Sequence, residues 1–430
     1  MSAQYSQNLR TTYIEASSHI ANQISTFRLD KDAVYMPNLR LVNVGYYTNG
    51  TDRKANPLVG FLGVIKNIRL MDGAKTLSQQ RHCNRWLSFQ NQLGRNQHKL
   101  CVDSVNTGTA IGYMLQSNDE CIHVANGTTV SKNVESEKLC AVLDLRKVFP
   151  LLNNLSFVST SVFKQLRIEV EYESDPVKVG AFNLTESVTV QQPTLVCDMV
   201  TDPAISSKIK ASQPENATWD EMESDVIVVP ANQPLVASGT TKVKQSTTNV
   251  INGFDNKYLG RIAILKNSSN PTTDCYTTNV SLGFGTYASR NYGGERLQIR
   301  KNGTNLFGGN GISNNSYRTL LLYSSWGDMC VPPFATRGGV GLDNPNSAPV
   351  NKSGQHLGDG TLQNARVGGS DYYGVSIEDR VNQLVIEFDR DVVYSDANFL
   401  SQTSSVDLYI FGECRKQIIF KDGSYDCYYV

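Results

Sequence analysis

The 430-residue chain has little charge and no excess of either sign: Lys plus Arg and Asp plus Glu number 40 each. Charged residues make up 19% of the chain, against about 25% in an average globular protein. A zero balance gives no long-range field to draw in nucleic acid or an anionic membrane, which argues against a basic nucleic-acid binder. Long hydrophobic runs are also missing: the apolar stretch Val226–Val229 ends at Pro230, far short of the ~18 residues that a spanning helix needs. The first thirty residues carry Arg10 and Arg28 but no continuous apolar segment. No secretory or transit signal is read there, and the protein is expected to stay in the cytosol or nucleus.

The motifs of common chemistries are equally scarce. The nine cysteines are scattered with no pair at metal-ligand spacing, so they read as buried, reduced thiols that act as small hydrophobes. Five histidines (His19, His82, His98, His123, His356) form neither HExxH nor an i, i+4 pair. The glycine clusters Gly308-Gly309-Asn310-Gly311 and Arg337-Gly338-Gly339-Val340-Gly341 lack the Walker lysine and the GxGxxG spacing and read as loops. No GxSxG elbow occurs. No catalytic residue, cofactor or metal site is therefore expected.

What the sequence has is turn and strand chemistry, with 33 Gly, 20 Tyr and 37 Asn. Leu166, Ile168, Val170 and Tyr172 alternate with Arg167, Glu169, Glu171 and Glu173, the pattern of a strand with one buried and one wet face. The same alternation recurs at Leu297 and Ile299, and at Leu384, Ile386 and Phe388. Near the C-terminus Ile418 and Phe420 lead through Asp422-Gly423 to Tyr425, Cys427 and Tyr429, which predicts a closing hairpin. Helical signals are few. Spacings of three and four from Leu9 through Tyr13, Ala16, Ile20, Ala21 and Ile24 predict an amphipathic helix over residues 8–25. Others are expected over 76–93 and around 144–148, the latter stopped or kinked by Pro150.

Between Glu173 and Pro230 the alternation loosens, with Pro176, Pro193, Pro203 and Pro214, and a domain junction is placed near residue 190. The expected organisation is an N-terminal arm over 1–26, a first sandwich over 27–190 and a second over 191–430, all-β with a few short helices. An internal echo supports the duplication. A strand ending in Asp72-Gly73 with Leu77 beyond resembles one ending in Asn302-Gly303 with Leu306 beyond. Residues 302–315 and 337–370 are Gly- and Asn-rich and read as surface loops.

Three features stay open between function and plain structure. Glu387 and Asp389 share a strand face and could serve as a carboxylate pair of the kind glycosidases use, but that face, opposite Leu384, Ile386 and Phe388, reads as solvent-facing. Trp86, Trp219 and Trp326 are few and far apart in sequence and read as core or interface anchors. The stripe of Tyr13, Ile20 and Ile24 is the candidate contact surface. It packs on the body or a neighbouring subunit, or it faces inward onto a membrane or internal scaffold.

Some segments are more specific than composition. LSFVSTSVFKQLRIEVEYESD (155–175), preceded by LDLRKVFPLL, resembles the end of the first jelly roll in double jelly-roll major capsid proteins. NGFDNKYLGRIAILKN (252–267) is similar to a stretch early in the second jelly roll of polinton-like viruses and virophages, and VDLYIFGECRKQIIFKDGSYDCYYV (406–430) resembles their closing strands. The resemblance implies two tandem eight-stranded jelly rolls and a structural major capsid protein. Its subunits would form homotrimeric, pseudo-hexagonal capsomers in the icosahedral shell of a double-stranded DNA virus, assembled in the host cytoplasm or nucleus. It implies penton and minor capsid proteins as further partners, admits an internal membrane, and leaves genome binding to other virion components. A carbohydrate-binding or carbohydrate-active double sandwich, or a minor or vertex capsid protein, are the alternative readings of the same features.

Overall fold

A computed structural model describes residues 8–48, 59–90, 107, 140–174, 188–212, 215–229, 242–268, 296–309, 311–312, 315–326, 372–393, 406–421 and 423–430. Eight principal strands make up its N-terminal half: β1 (Leu9–Glu15), β2 (Ile24–Arg28), β3 (Arg40–Val44), β4 (Ile65–Asp72), β5 (Lys75–Gln80), β6 (Ala141–Asp144), β7 (Leu166–Tyr172) and β8 (Thr194–Val200). The C-terminal half repeats the number with β9 (Ala217–Val229), β10 (Lys242–Ile251), β11 (Lys257–Ser268), β12 (Arg296–Lys301), β13 (Thr304–Asn305), β14 (Tyr372–Val381), β15 (Leu384–Val393) and β16 (Val406–Lys421). A last strand, β17 (Ser424–Tyr429), folds back on β16. Three longer helices accompany them: α1 (Cys83–Gln90), α2 (Pro203–Ala211) and α3 (Asn315–Trp326).

The two halves share one topology. In the N-terminal half one sheet runs β1-β8-β3-β6 and the other β2-β7-β4-β5. In the C-terminal half the sheets run β9-β16-β11-β14 and β10-β15-β12-β13. Counted within each half, both give first-eighth-third-sixth and second-seventh-fourth-fifth, antiparallel throughout. The echo noted in the sequence falls at equivalent places, since both segments are the tight turn between fourth and fifth strands. Gly73 has φ 58°, and Asn302 and Gly303 have φ 50° and 83°, the left-handed values that such two-residue turns require.

Burial follows the alternation. Along β7 Leu166, Ile168, Val170 and Tyr172 are buried while the residues between them are only partly covered. Strand β15 buries Leu384, Ile386 and Phe388 with the C-terminal core, which also holds Phe254, Leu259, Ile262 and Ile299. A separate core built around Phe27, Leu41, Phe61, Ile168 and Leu195 fills the N-terminal half. Strand partners change between Val200 and Ala217, beyond the junction expected near residue 190, because β8 inserts as the eighth strand of the first sandwich.

The helical expectations need correction. Residues 8–25 are not a helix: β1, the short strand Ser18–Ile20 and the start of β2 occupy them. Thr11, Thr12, Tyr13 and Ile14 are β-branched or aromatic residues that suit a strand, and pairing of β1 with β8 over its whole length overrides the three-four spacing. Residues 75–80 are strand as well. The helix expected over 76–93 begins only at Cys83, after His82 takes a left-handed φ of 49°, and 91–93 lie outside the described residues. Asp144 caps a single 3-10 turn over Leu145–Lys147, and Pro150 opens the short helix Leu151–Asn154 rather than ending one.

The closing hairpin is present. β16 and β17 pair with Lys421 opposite Ser424, and Gly423 has φ 74° with nothing within 4 Å of where a side chain would start; Asp422 lies outside the described residues. Gly423→Val is expected to lower stability by about 1 kcal/mol or more through backbone strain alone, read as a fall in the urea midpoint. An unchanged midpoint would show that the turn accommodates a β-branched residue.

Candidate functional site: the junction between two sandwiches

Strands β9 and β16 are 13 and 16 residues long, longer than one sandwich needs. Period two therefore carries one face of their ribbon through both cores. Ile227 and Val229 of β9 and Leu408, Ile410 and Cys414 of β16 belong to the C-terminal core. Farther along the same face, Ala217, Trp219, Ile418 and Phe420 join the N-terminal core, where Phe420 and Tyr425 stack on Phe163 with ring centroids 5.9 and 5.2 Å away. Two cores are thus bridged by one continuous ribbon.

At the crossing point the apolar pattern is interrupted by Glu221, Glu223 and Lys416, all buried. Glu221 is fully enclosed. Both of its oxygens accept from the Ser78 hydroxyl at 2.9 Å, one accepts from the Gln79 backbone N–H at 2.5 Å, and the other from the Trp219 indole N–H at 2.6 Å. Lys416 donates to the backbone carbonyl of Leu77 at 2.7 Å. Glu223 accepts from the Tyr429 hydroxyl and receives Gln79 Nε2 at 3.4 Å. Lys257 lies 3.9 Å from Glu223 and sits over the Tyr429 ring. Every partner on β5 comes from the N-terminal sandwich, and every acid comes from the C-terminal one. Burial drives the Glu221 carboxyl up to about 7, against the pull of Lys416 and the three donors.

The opposite face of the ribbon carries a third apolar cluster. Helix α1 turns Cys83 and Leu87 into its own core and offers Trp86 and Phe89 to Met222, Tyr409 and Phe411. Helix α3 adds Leu322 and Trp326, so that Trp86 and Trp326 meet edge to face at 5.6 Å. Arg261 holds α3 in place. It pairs with both oxygens of Glu413 at 2.6 and 2.8 Å, donates to the Ser325 carbonyl at 3.0 Å and lies 4.1 Å from the Trp326 ring.

The residues singled out from sequence fare differently. Ile20 and Ile24 are brought together as a cross-strand pair, with Ile20 50% exposed and Ile24 half-buried. Tyr13, 69% exposed, stands in the other sheet opposite Val196. Glu387 and Asp389 do not face open solvent: Arg296 reaches both, Arg300 pairs with Glu387 and Ser246 with Asp389, and these groups cover the carboxylates. All three tryptophans are buried, two of them in contact. Cys83, Cys197 and Cys414 are free and buried, whereas Cys140 and Cys427 are free and partly exposed. Among the described residues no group of His, Cys, Asp and Glu is arranged to hold a metal ion, and no helix is long and apolar enough to cross a membrane. Sequence reasoning missed Glu221, Glu223 and Lys416, although acids at the parity of Ala217, Trp219, Ile227 and Val229 were a visible interruption.

No known family profile matches the chain, and no curated protein does. Solved structures do. PBCV-1 VP54, as fitted into a cryo-EM reconstruction of the virophage Sputnik, aligns over 98% of this chain and 97% of its own with a TM-score of 0.56 at 9% identity. The major capsid protein of mavirus aligns over 97% and 90% with 0.52 at 11% identity, and that of Faustovirus over 96% and 90% with 0.53 at 7%. The chain is a double jelly roll. The likeness runs through both jelly rolls and the junction between them, and not through one sandwich alone. At such low identity it is a likeness of backbone path.

Proposed function

We propose that this protein is a major capsid protein whose subunits trimerise into pseudo-hexagonal capsomers of an icosahedral double-stranded DNA virus shell. One observation carries the reading: two jelly rolls of identical strand order are locked side by side in one chain by two apolar clusters and a buried polar belt. A rigid pair of similar bodies is half of a two-body repeat. Three such pairs joined head to tail through one heterologous contact close into a ring of six similar bodies. Stable contacts of this class bury on the order of 2,000 to 5,000 Å2 in total. The solved structures described above are capsid proteins, so the proposed role is scaffolding and not turnover, and the proposed location is the virion.

The exposed Tyr13 and Ile20 are the contact residues we assign to this assembly, directed at a neighbouring subunit or at the inner layer of the particle. The purified chain is expected to run as a trimer that persists on dilution and to appear as hexagon-outlined particles by electron microscopy. A stable monomer at micromolar concentration would overturn the reading. Tyr13→Asp with Ile20→Asp is expected to cut particle yield severalfold while leaving the urea midpoint of the subunit unchanged, since both side chains are exposed. Full particle yield would remove these residues from the contact.

A further inference from the structure

We propose that the coupling between the two jelly rolls is gated by a proton: Glu221 takes one up from water as the bodies lock and releases it as they loosen. This device lies within the subunit and does not depend on the capsid reading. Its basis is the position of the carboxyl. Glu221 has no exposed surface, and its donors come from both bodies, Ser78 and Gln79 from the first and Trp219 from the second. Three donors suit an ionised carboxylate, while removal from water opposes it, so neither form is strongly preferred.

The surrounding charges leave the balance close. Lys416 on β16 is the facing cation. On its own strand stands Glu223, on β11 Lys257, on β16 Cys414, and on β17 Cys427 and Tyr429. Strand β5 places Ser78 and Gln79 against it and carries Lys75 at its start, whose charge acts on Cys427. Among the direct partners, only the Ser78 hydroxyl can turn from donor to acceptor. A proton on Glu221 is therefore received by Ser78, while Gln79 and Trp219 keep donating, and the bonds that cross the junction survive neutralisation.

The sign follows from linkage. An unfolded glutamate ionises near 4.5 and this one near 7, so the folded chain holds the proton more tightly, by a factor of up to about 300. The contribution of Glu221 to coupling is full below pH 4.5, declines as pH rises and is lost above about 7.

The test uses the full chain. Tryptophan emission, with Trp219 donating to the carboxyl, is expected to titrate with a midpoint near pH 7 in the wild type and to lose that transition in Glu221→Gln. Urea unfolding at pH 5 and pH 8 is expected to show an unfolding constant that rises up to about 70-fold more in the wild type than in the variant. Should Glu221→Gln fail to fold, Ser78→Ala takes its place: it removes one of the three donors that favour the ionised carboxylate, and the emission midpoint is expected to rise. Identical pH dependence in wild type and Glu221→Gln, or an unmoved midpoint in Ser78→Ala, overturns the proposal.

Discussion

Glu221→Leu is expected to destabilise the chain by about 4 kcal/mol or more, the sum of buried donors left without acceptors at about 1 to 3 kcal/mol each. Leucine matches glutamate in bulk, so the loss is one of hydrogen bonding and not of packing. The Ser78 hydroxyl can turn elsewhere, but the Gln79 backbone N–H and the Trp219 indole N–H are fixed by their strands and cannot. The damage should be local to the coupling. Urea unfolding followed by the near-ultraviolet signal of the tryptophans is expected to separate into two transitions, with the N-terminal jelly roll and the C-terminal one unfolding at different midpoints. A single transition at the wild-type midpoint would show that the polar belt is incidental to the union of the two bodies.

Glu221 was hard to find from sequence for a physical reason. Its partner Ser78 lies 143 residues away, and nothing in local composition marks the two as neighbours. Glu387 and Asp389 failed in the same way, because the arginines that cover them stand on a neighbouring strand, β12, whose register only folding reveals. Where one face meets a core and the other meets water, as in β7, periodicity was a sufficient guide. In residues 8–25 it was not. Apolar residues at spacings of three, four and two overlap over so short a stretch, and the pairing of β1 with β8 decided the outcome. The duplicated turn at Gly73 and Gly303 was legible because glycine answers there to a backbone angle, a local requirement that does not depend on distant contacts.

The tryptophan cluster on the other face of the ribbon rests on a position with no side chain. A Cβ added at Gly374 of β14 would lie 2.6 Å from Leu322 Cδ1, 2.7 Å from Trp326 Cδ1 and 2.8 Å from Ser325 Oγ, all on α3. No rotamer of a larger residue relieves this, since the clash begins at the first carbon. Trp326 has little room to retreat: its indole N–H donates to the Ile262 carbonyl at 3.0 Å, and the Arg261 guanidinium covers its ring. In Gly374→Leu the whole helix must lift, uncovering Trp326 and withdrawing one wall from Trp86 and Phe89 of α1. Overpacking alone costs about 1 to 3 kcal/mol, and undocking an aromatic core residue about 3 to 5, so a loss of at least ~3 kcal/mol is expected, with Gly374→Ala intermediate. Because α1 belongs to one jelly roll and α3 to the other, the variant should also lose the near-ultraviolet dichroism of the paired indoles. A Gly374→Leu chain with wild-type dichroism and midpoint would mean that α3 does not rest on β14, and the outer face of the ribbon would then have no part in joining the two bodies.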